Sequence, residues 1–152
     1  MTKIEMGADT EFLINGPITP ALIGEYITSI GQRKNVGGHS LFLGQVRDDT
    51  VGERKVEAIE YSAYEEMVAA EAERIREVTQ KAFSDVVSIE ILHAVGMVKC
   101  GEISLFVLVT AGHRDQAIRA CSHVVEMIKL NYPVWKKEIF NDDSHRWREN
   151  KR

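Results

Sequence analysis

Cysteine is scarce in this chain. Among 152 residues there are two, Cys100 and Cys121. Two thiols are too few for the disulfide framework of a small secreted scaffold, and a chain of this length buries enough core to do without one. A reducing, cytoplasmic setting is the expectation that follows. A surplus of positive charge is missing as well: 19 Lys and Arg stand against 23 Asp and Glu, for a net charge of −4. General nucleic-acid binding draws on a basic excess that displaces counterions from phosphates, so that class is set aside. A small basic pocket for one phosphorylated metabolite remains compatible with the total. Long apolar runs are lacking too. The longest, Ile103 to Ala111 around LFVLV, falls far short of the ~20 residues that a membrane helix needs. The opening MTKIEMGADTEFLI has no basic stretch followed by an apolar one, as a secretory leader would. There is no G-x-S-x-G elbow, P-loop, H-E-x-x-H or C-x-x-C. Neither cysteine has a spacing that suggests a metal site, and no cofactor is expected.

The remainder is ordinary globular sequence, 44% hydrophobic and 28% charged. No internal repeat, low-complexity run or Pro/Gly-rich linker divides it, so one domain over 1–152 is expected. Thr19-Pro20 reads as an N-cap followed by proline in the first turn. Leu22, Ile23, Tyr26, Ile27 and Ile30 then recur at helical spacing up to Gly31. Gly37-Gly38 precede SLFLGQVR, a strand ending in charge. The polar stretch from Asp48 to Lys55, with Gly52, reads as a mobile loop before the strand VEAIEY (56–61). Tyr64, Met67, Val68, Glu71, Ile75, Val78 and Ala82 make a helical stripe. Val87, Ile89, Ile91, His93 and Val95 alternate as in a half-buried strand, and ISLFVLVT (103–110) is apolar on both faces, as in a central strand. A last helix should run from about His113 to Lys129, with Ala117, Cys121, Val124, Val125 and Ile128 inward. An irregular tail follows from about 141. The order predicts an α+β (mixed α/β) domain.

Three basic clusters carry potential chemistry: Arg47 at a strand end, His113-Arg114 at a helix start, and Lys129 with Lys136-Lys137. A helix N-terminus offers free N–H groups and a positive dipole, which suits His113-Arg114 to a phosphate. Taken singly, each is weak; an arginine at a strand end is ordinarily just solvated. Lys129 lies in the last turn of an apolar helix, ahead of Asn131-Tyr132-Pro133-Val134-Trp135-Lys136. Proline stops the helix there, and Trp135 can form an apolar wall beside the two lysines that follow it. A lysine half-buried among other cations loses proton affinity and becomes a usable base or nucleophile. The competing reading is a lysine that merely complements the helix dipole, and the local pattern alone favours it. Cys121 falls on the apolar stripe of its helix and reads as core; Cys100, beside Lys99 in a turn, leaves a reactive thiol open, although its electropositive setting is weak. His93 shares a side with the alternating Val and Ile residues and reads as packed. His39, His123 and His145 show no evident partner.

Helix geometry sharpens the picture. Arg114 and Lys129 are 15 positions apart at opposite ends of one predicted helix, roughly 22 Å at ~1.5 Å per residue. One small ligand does not reach both within a single chain. If both serve one site, two copies of the chain must share it.

Four segments, GHSLFLGQVRDD, EYSAYEEMVAAE, GMVKCGEISLFVLVTAGHRDQAIRAC and IKLNYPVWKKE, resemble in order the successive motifs of the molybdopterin synthase catalytic (large) subunit family. Together they cover most of 37–138, and the last two are the most specific. The resemblance implies an α/β-hammerhead fold and a homodimeric core. Each end of that core would bind a small ubiquitin-like subunit, making a heterotetramer. The partner's C-terminal Gly-Gly thiocarboxylate would enter the large subunit. Two sulfurs would then pass to cyclic pyranopterin monophosphate, giving the dithiolene of molybdopterin in molybdenum cofactor biosynthesis. This makes the chain a sulfurtransferase that needs no cysteine nucleophile. By the same resemblance Lys129 and Lys136 are catalytic, Arg47 contacts the anionic substrate, and His113 and Arg114 reach it from the other subunit. A basic tail residue, Arg146, Arg148 or Lys151, joins the site, and the motifs do not choose among them. Residues 1–35 carry little of the resemblance. Two other classes compete: a non-catalytic module that docks a ubiquitin-like tail, and a stand-alone enzyme acting on a phosphorylated metabolite.

Overall fold

The structure, a computed structural model, describes residues 11–148. In chain order the elements are β1 (Leu13–Asn15), α1 (Pro20–Ile30), β2 (Gly38–Gln45), β3 (Thr50–Val51), β4 (Arg54–Ala63), α2 (Glu65–Ala82), β5 (Val86–Lys99), β6 (Ile103–Ala111), α3 (Arg114–Asn131), β7 (Val134–Phe140) and β8 (His145–Arg148). This is the expected α+β class, with three helices against one eight-stranded sheet.

The sheet runs β2-β6-β5-β4-β7-β8, with β1 alongside β5 and β3 alongside β4. β5 joins its two halves. Its first part, Val86 to His93, pairs with β6, whereas Ala58 to Tyr61 of β4 pair with Gly96 to Lys99. Between these stretches β1 pairs in parallel with His93 to Val95. Gly96 sits at the change of partner with φ +84°, and a Cβ there would lie 2.8 Å from the Asn15 Oδ1. Only glycine meets both demands. Gly37 is equally constrained, since a Cβ would come within 2.2 Å of the Gly112 carbonyl oxygen. That close approach brings the start of β2 against the turn into α3.

α2 and α3 cover one face of the sheet and α1 the other. On the α1 side Ile18, Ile23 and Ile30 pack on Leu92, Phe106 and Leu108. On the other side Val68, Ala72 and Ile75 of α2 and Ala120, Val124 and Ile128 of α3 close over Ile89, Ile91, Leu105 and Val107. β6 is therefore buried on both faces, as its composition predicts. Thr19 caps α1 as expected, its Oγ1 accepting from the Leu22 N–H at 3.2 Å with Pro20 in the first turn.

Four expectations need correction. The segment 48–55 is not an unstructured loop: β3 and β4 form a hairpin, Val51 opposite Arg54, with Gly52 at φ +66° in its two-residue turn. β5 is not half-buried, because Ser88, Leu92 and Ala94 are as enclosed as Ile89, Ile91 and His93, with Leu92 packed on the α1 side and Ile89 and Ile91 on the side of α2 and α3. The buried face of α2 is Val68, Ala69, Ala72, Ile75 and Thr79, while Tyr64, Met67 and Val78 remain exposed. Small alanines, invisible to a search for large apolar residues, let that helix lie close to its neighbours. Finally, the tail is not irregular. β8 adds to β7 as an antiparallel edge strand, with all four residues exposed and so without an apolar pattern to betray it.

Candidate active site

One row of side chains crosses three strands at a single level. Tyr61 of β4 stands opposite Lys136 of β7, and Lys136 opposite Arg148 of β8. Direct antiparallel neighbours place Cβ atoms ~5 Å apart, close enough for strong mutual influence. Two residues along the same face, Glu138 of β7 stands opposite Arg146. Glu138 is 1% exposed. Its Oε1 accepts from Arg146 Nη2 at 2.7 Å and Nε at 3.0 Å, and its Oε2 accepts from Arg148 Nη1 at 3.3 Å. A buried carboxylate at this depth requires such pairing.

Lys129 joins this row from the last turn of α3. Burial lowers its proton affinity, and the Arg148 guanidinium lowers it further. Lys136 is lowered to about 8, by burial first, then by Lys129 and Arg148, with Glu138 opposing. The two lysines and one arginine thus feel one another, in a half-buried setting where a charge is weakly hydrated. Beneath them His93 is buried, its Nδ1 donating to the Ala94 carbonyl at 2.7 Å. Its ring packs edge-on to Tyr61 at 5.2 Å and near Tyr132 at 6.3 Å. Burial, then the two lysines, hold it down to about 4 against the help of the carbonyl, so it is neutral at physiological pH. Burial raises Tyr61 and Tyr132 in the opposite sense. The packed reading of His93 holds, but what it packs under is the lysine pair.

Trp135 takes a different place from the one expected. Strand alternation turns it to the face opposite Lys136, where it meets Tyr64 edge-on at 5.2 Å. With Ser62, Ala63 and Trp147 it lines a shallow cavity of about 390 Å³. Of the two adjacent lysines it shares a face with Lys137, whose Nζ binds Glu60 at 3.0 Å and lies 5.5 Å from the Trp147 ring.

The other expected site residues lie elsewhere in the chain. Arg47 follows β2; its side chain is 78% exposed and its Nε donates to Asp49 at 2.6 Å. It lines an open cavity of about 400 Å³ with Gln45, Val46, Asp48, Cys100 and Gly101, in which neither lysine takes part. His113 and Arg114 are exposed at the start of α3, where the His113 N–H and Nδ1 reach the Asp85 carboxylate at 2.8 and 3.2 Å. The 15-residue separation from Lys129 stands as calculated, since α3 runs unbroken from Arg114 to Asn131. Of the three tail candidates, Arg148 sits with the lysines and Arg146 on Glu138, while Lys151 lies outside the described residues. Glu138 was not singled out from sequence, because nothing in WKKE marks which charge is buried.

Neither cysteine is placed for nucleophilic work. Cys121 is core. The Cys100 Sγ donates to the Val56 carbonyl at 2.9 Å. Its thiol is pushed up by burial and by Asp48, Glu57 and Asp49, the reverse of what a reactive thiolate needs. No cluster of metal-ligating side chains occurs among the described residues, and no helix there is long and apolar enough to cross a membrane.

Comparison with known proteins gives this arrangement a context. The molybdopterin synthase catalytic subunit of Pyrococcus abyssi is 42% identical over 118 residues, 78% of each chain. That of Dictyostelium discoideum is 36% identical over 116 residues, covering 75% of this chain and 73% of its own. Among solved structures, molybdopterin synthase from Staphylococcus aureus superposes with a TM-score of 0.81 at 28% identity, over 95% of this chain and 99% of the other. A complex of subunits 1 and 2 of molybdopterin-converting factor from Helicobacter pylori shares the fold, with a TM-score of 0.76 at 20% identity over 90% and 88% of the two chains. The family model described as MoaE protein matches residues 17–131, from the approach to α1 through the whole of α3, and the chain belongs to that family.

Proposed function

We propose that this chain is the catalytic subunit of a molybdopterin synthase. In this reading it moves two sulfurs in turn from the C-terminal thiocarboxylate of a small ubiquitin-like subunit to cyclic pyranopterin monophosphate. The observation that carries the reading is the half-buried pair Lys129 and Lys136, with Arg148 opposite Lys136, in a member of this family. Both reactants are anionic, and a partly dehydrated cationic row attracts them more strongly than solvated surface charges would. Lys136, lowered to about 8, has about a tenth of its amine free at pH 7, enough to take up or return protons during turnover. Lys129 lies beside the incoming tail and stabilises the charge that develops there. Sulfur arrives on the partner, so a buried Cys121 and a high-pKa Cys100 are no obstacle.

The Helicobacter pylori relative, solved as a complex of two subunits, supports a small-subunit partner. In this reading the core is a homodimer. α3 holds His113 and Arg114 roughly 22 Å from Lys129 along the helix axis, so if both ends serve one site, His113 and Arg114 come from a second copy. Arg47, free of the row in its own chain, reaches substrate by the same rearrangement or by closing over it.

Reconstitution decides the matter. Purified chain, thiocarboxylated small subunit and pterin precursor together should form molybdopterin, and the chain alone should not. Lys129→Ala should lower the rate by about 100-fold or more, the usual weight of a positioned acid–base group, with its circular dichroism unchanged. Wild-type turnover in that variant would remove Lys129 from the mechanism, whereas no molybdopterin from the wild-type mixture would favour a docking module without catalysis.

A further inference from the structure

The edge strand β8 carries the one cation of the row that comes from the end of the described chain, and the way it is held is unusual. Lys136 and Arg148 are direct cross-strand neighbours of like charge, an arrangement that by itself pushes an edge strand away. The Glu138 carboxylate reverses this. It is almost fully buried and divides its two oxygens between Arg146 and Arg148, so that one β7 side chain ties down two successive same-face residues of β8. Glu138 pairs with Arg146 and Arg148 and acts on Lys136, so one carboxylate stands against three cations, with Lys129 beside them, and the face stays positive.

We propose that Arg148 is a third anion-binding cation of the lysine site and that Glu138 is the positioning residue that keeps it opposite Lys136. The assignment rests on the reading of Lys129 and Lys136 as the reacting row. The groups facing Lys136 are Tyr61 from β4, His93 from β5, Lys129 from α3, Glu138 from its own strand and Arg148 from β8. Of these, His93 is neutral near pH 7 and Tyr61 stays protonated there, so Lys129, Glu138 and Arg148 set the local field. Without Arg148, Lys136 holds its proton more firmly and loses free amine at neutral pH. Arg148 therefore acts twice: it meets the anionic reactant directly, and it keeps its neighbour available for proton transfer.

The test reads the lysine rather than the reaction. Full-length protein is labelled briefly with acetic anhydride at pH 7.5, and acetylation of Lys136 is measured by peptide mass spectrometry against exposed Lys34 as internal reference. Only the free amine reacts, so the ratio reports proton affinity. Arg148→Gln should lower the ratio by about threefold, and Arg148→Lys should hold it near wild type because the charge is kept. An unchanged ratio in Arg148→Gln overturns the role of Arg148. On a Glu138→Gln background the further change Arg148→Gln should have little effect, since Arg148 is no longer held there; a full threefold effect refutes the positioning role. If Glu138→Gln does not fold, Glu138→Asp takes its place as the background: the shortened carboxylate should weaken the Arg148→Gln effect, and an undiminished threefold effect refutes the positioning role equally. The outcome is separable from the broader reading, because labelling needs neither partner nor substrate. Loss of turnover in Lys129→Ala with no change of labelling in Arg148→Gln keeps the synthase and discards this inference.

Discussion

The two ends of α3 carry the same kinds of residue and offer different chemistry. At the N-terminal end His113 and Arg114 stand in open solvent, His113 with 88% of its side chain exposed and its ring against Asp85. At the C-terminal end Lys129 is half-buried, within electrostatic reach of Lys136 and Arg148. A cation in water keeps its ordinary proton affinity and attracts an anion weakly, across a high dielectric. The same charge taken partly out of water, among other cations, binds its proton less firmly and an anion more firmly. On the proposed reading, proton transfer belongs to the lysine end. The exposed end suits capture and orientation of a ligand that another body brings to it.

The largest effect expected from breaking this contrast is at Lys136. Lys136→Ala should reduce reconstituted turnover by about 100-fold, while wild-type activity should fall as pH drops through about 8, where that amine becomes protonated. A flat profile between pH 6 and 9 would mean that Lys136 acts by charge alone. Next comes the relation between the ends. Lys129→Ala and Arg114→Ala chains, each nearly inactive, should recover about a quarter of wild-type turnover when co-expressed. Random pairing makes half the dimers mixed, each with one intact site of two. No recovery, or a monomer by light scattering, would separate the two ends into unrelated surfaces.

A smaller effect should appear in stability. His93 is held down to about 4, whereas in the unfolded chain it titrates near 6.5. As pH falls from 6.5 to 4 the unfolded chain takes a proton that the folded one refuses, so stability drops across that window and the His93 contribution is fully present only above it. His93→Gln should flatten this part of the curve of denaturation midpoint against pH. Lys136 works in the same sense at the alkaline side: between about 8 and 10.5 the unfolded chain keeps a proton that the folded one has released, so stability rises with pH there.

Elements with a strong apolar pattern, on one face or on both, were legible from residues alone. α1 with its Thr19 cap, the doubly buried β6 and the whole of α3 needed only spacing and hydropathy. The failures share a cause. α2 buries alanines, which carry little hydropathy signal. β7 holds Lys136, Lys137 and Glu138 in succession, so its alternation is masked by charge, although one of the three is almost fully enclosed. β8 has no buried residue at all and exists only because β7 offers it an edge. Lys129 and Lys136 could be named beforehand; Glu138 could not, because its importance lies in two partners 8 and 10 positions away.

By itself, the sequence determined the class of fold, the helix that separates Arg114 from Lys129, and the residue types available for an anionic ligand. Those properties depend on composition and on spacing along one segment, which short-range geometry converts directly into structure. Which cations meet was decided only by the tertiary structure. Strand register set Tyr61, Lys136 and Arg148 in one row and turned Trp135 to the opposite face. Register and desolvation arise from contacts between distant segments, and they decide whether a lysine is a solvated surface charge or a group able to move a proton.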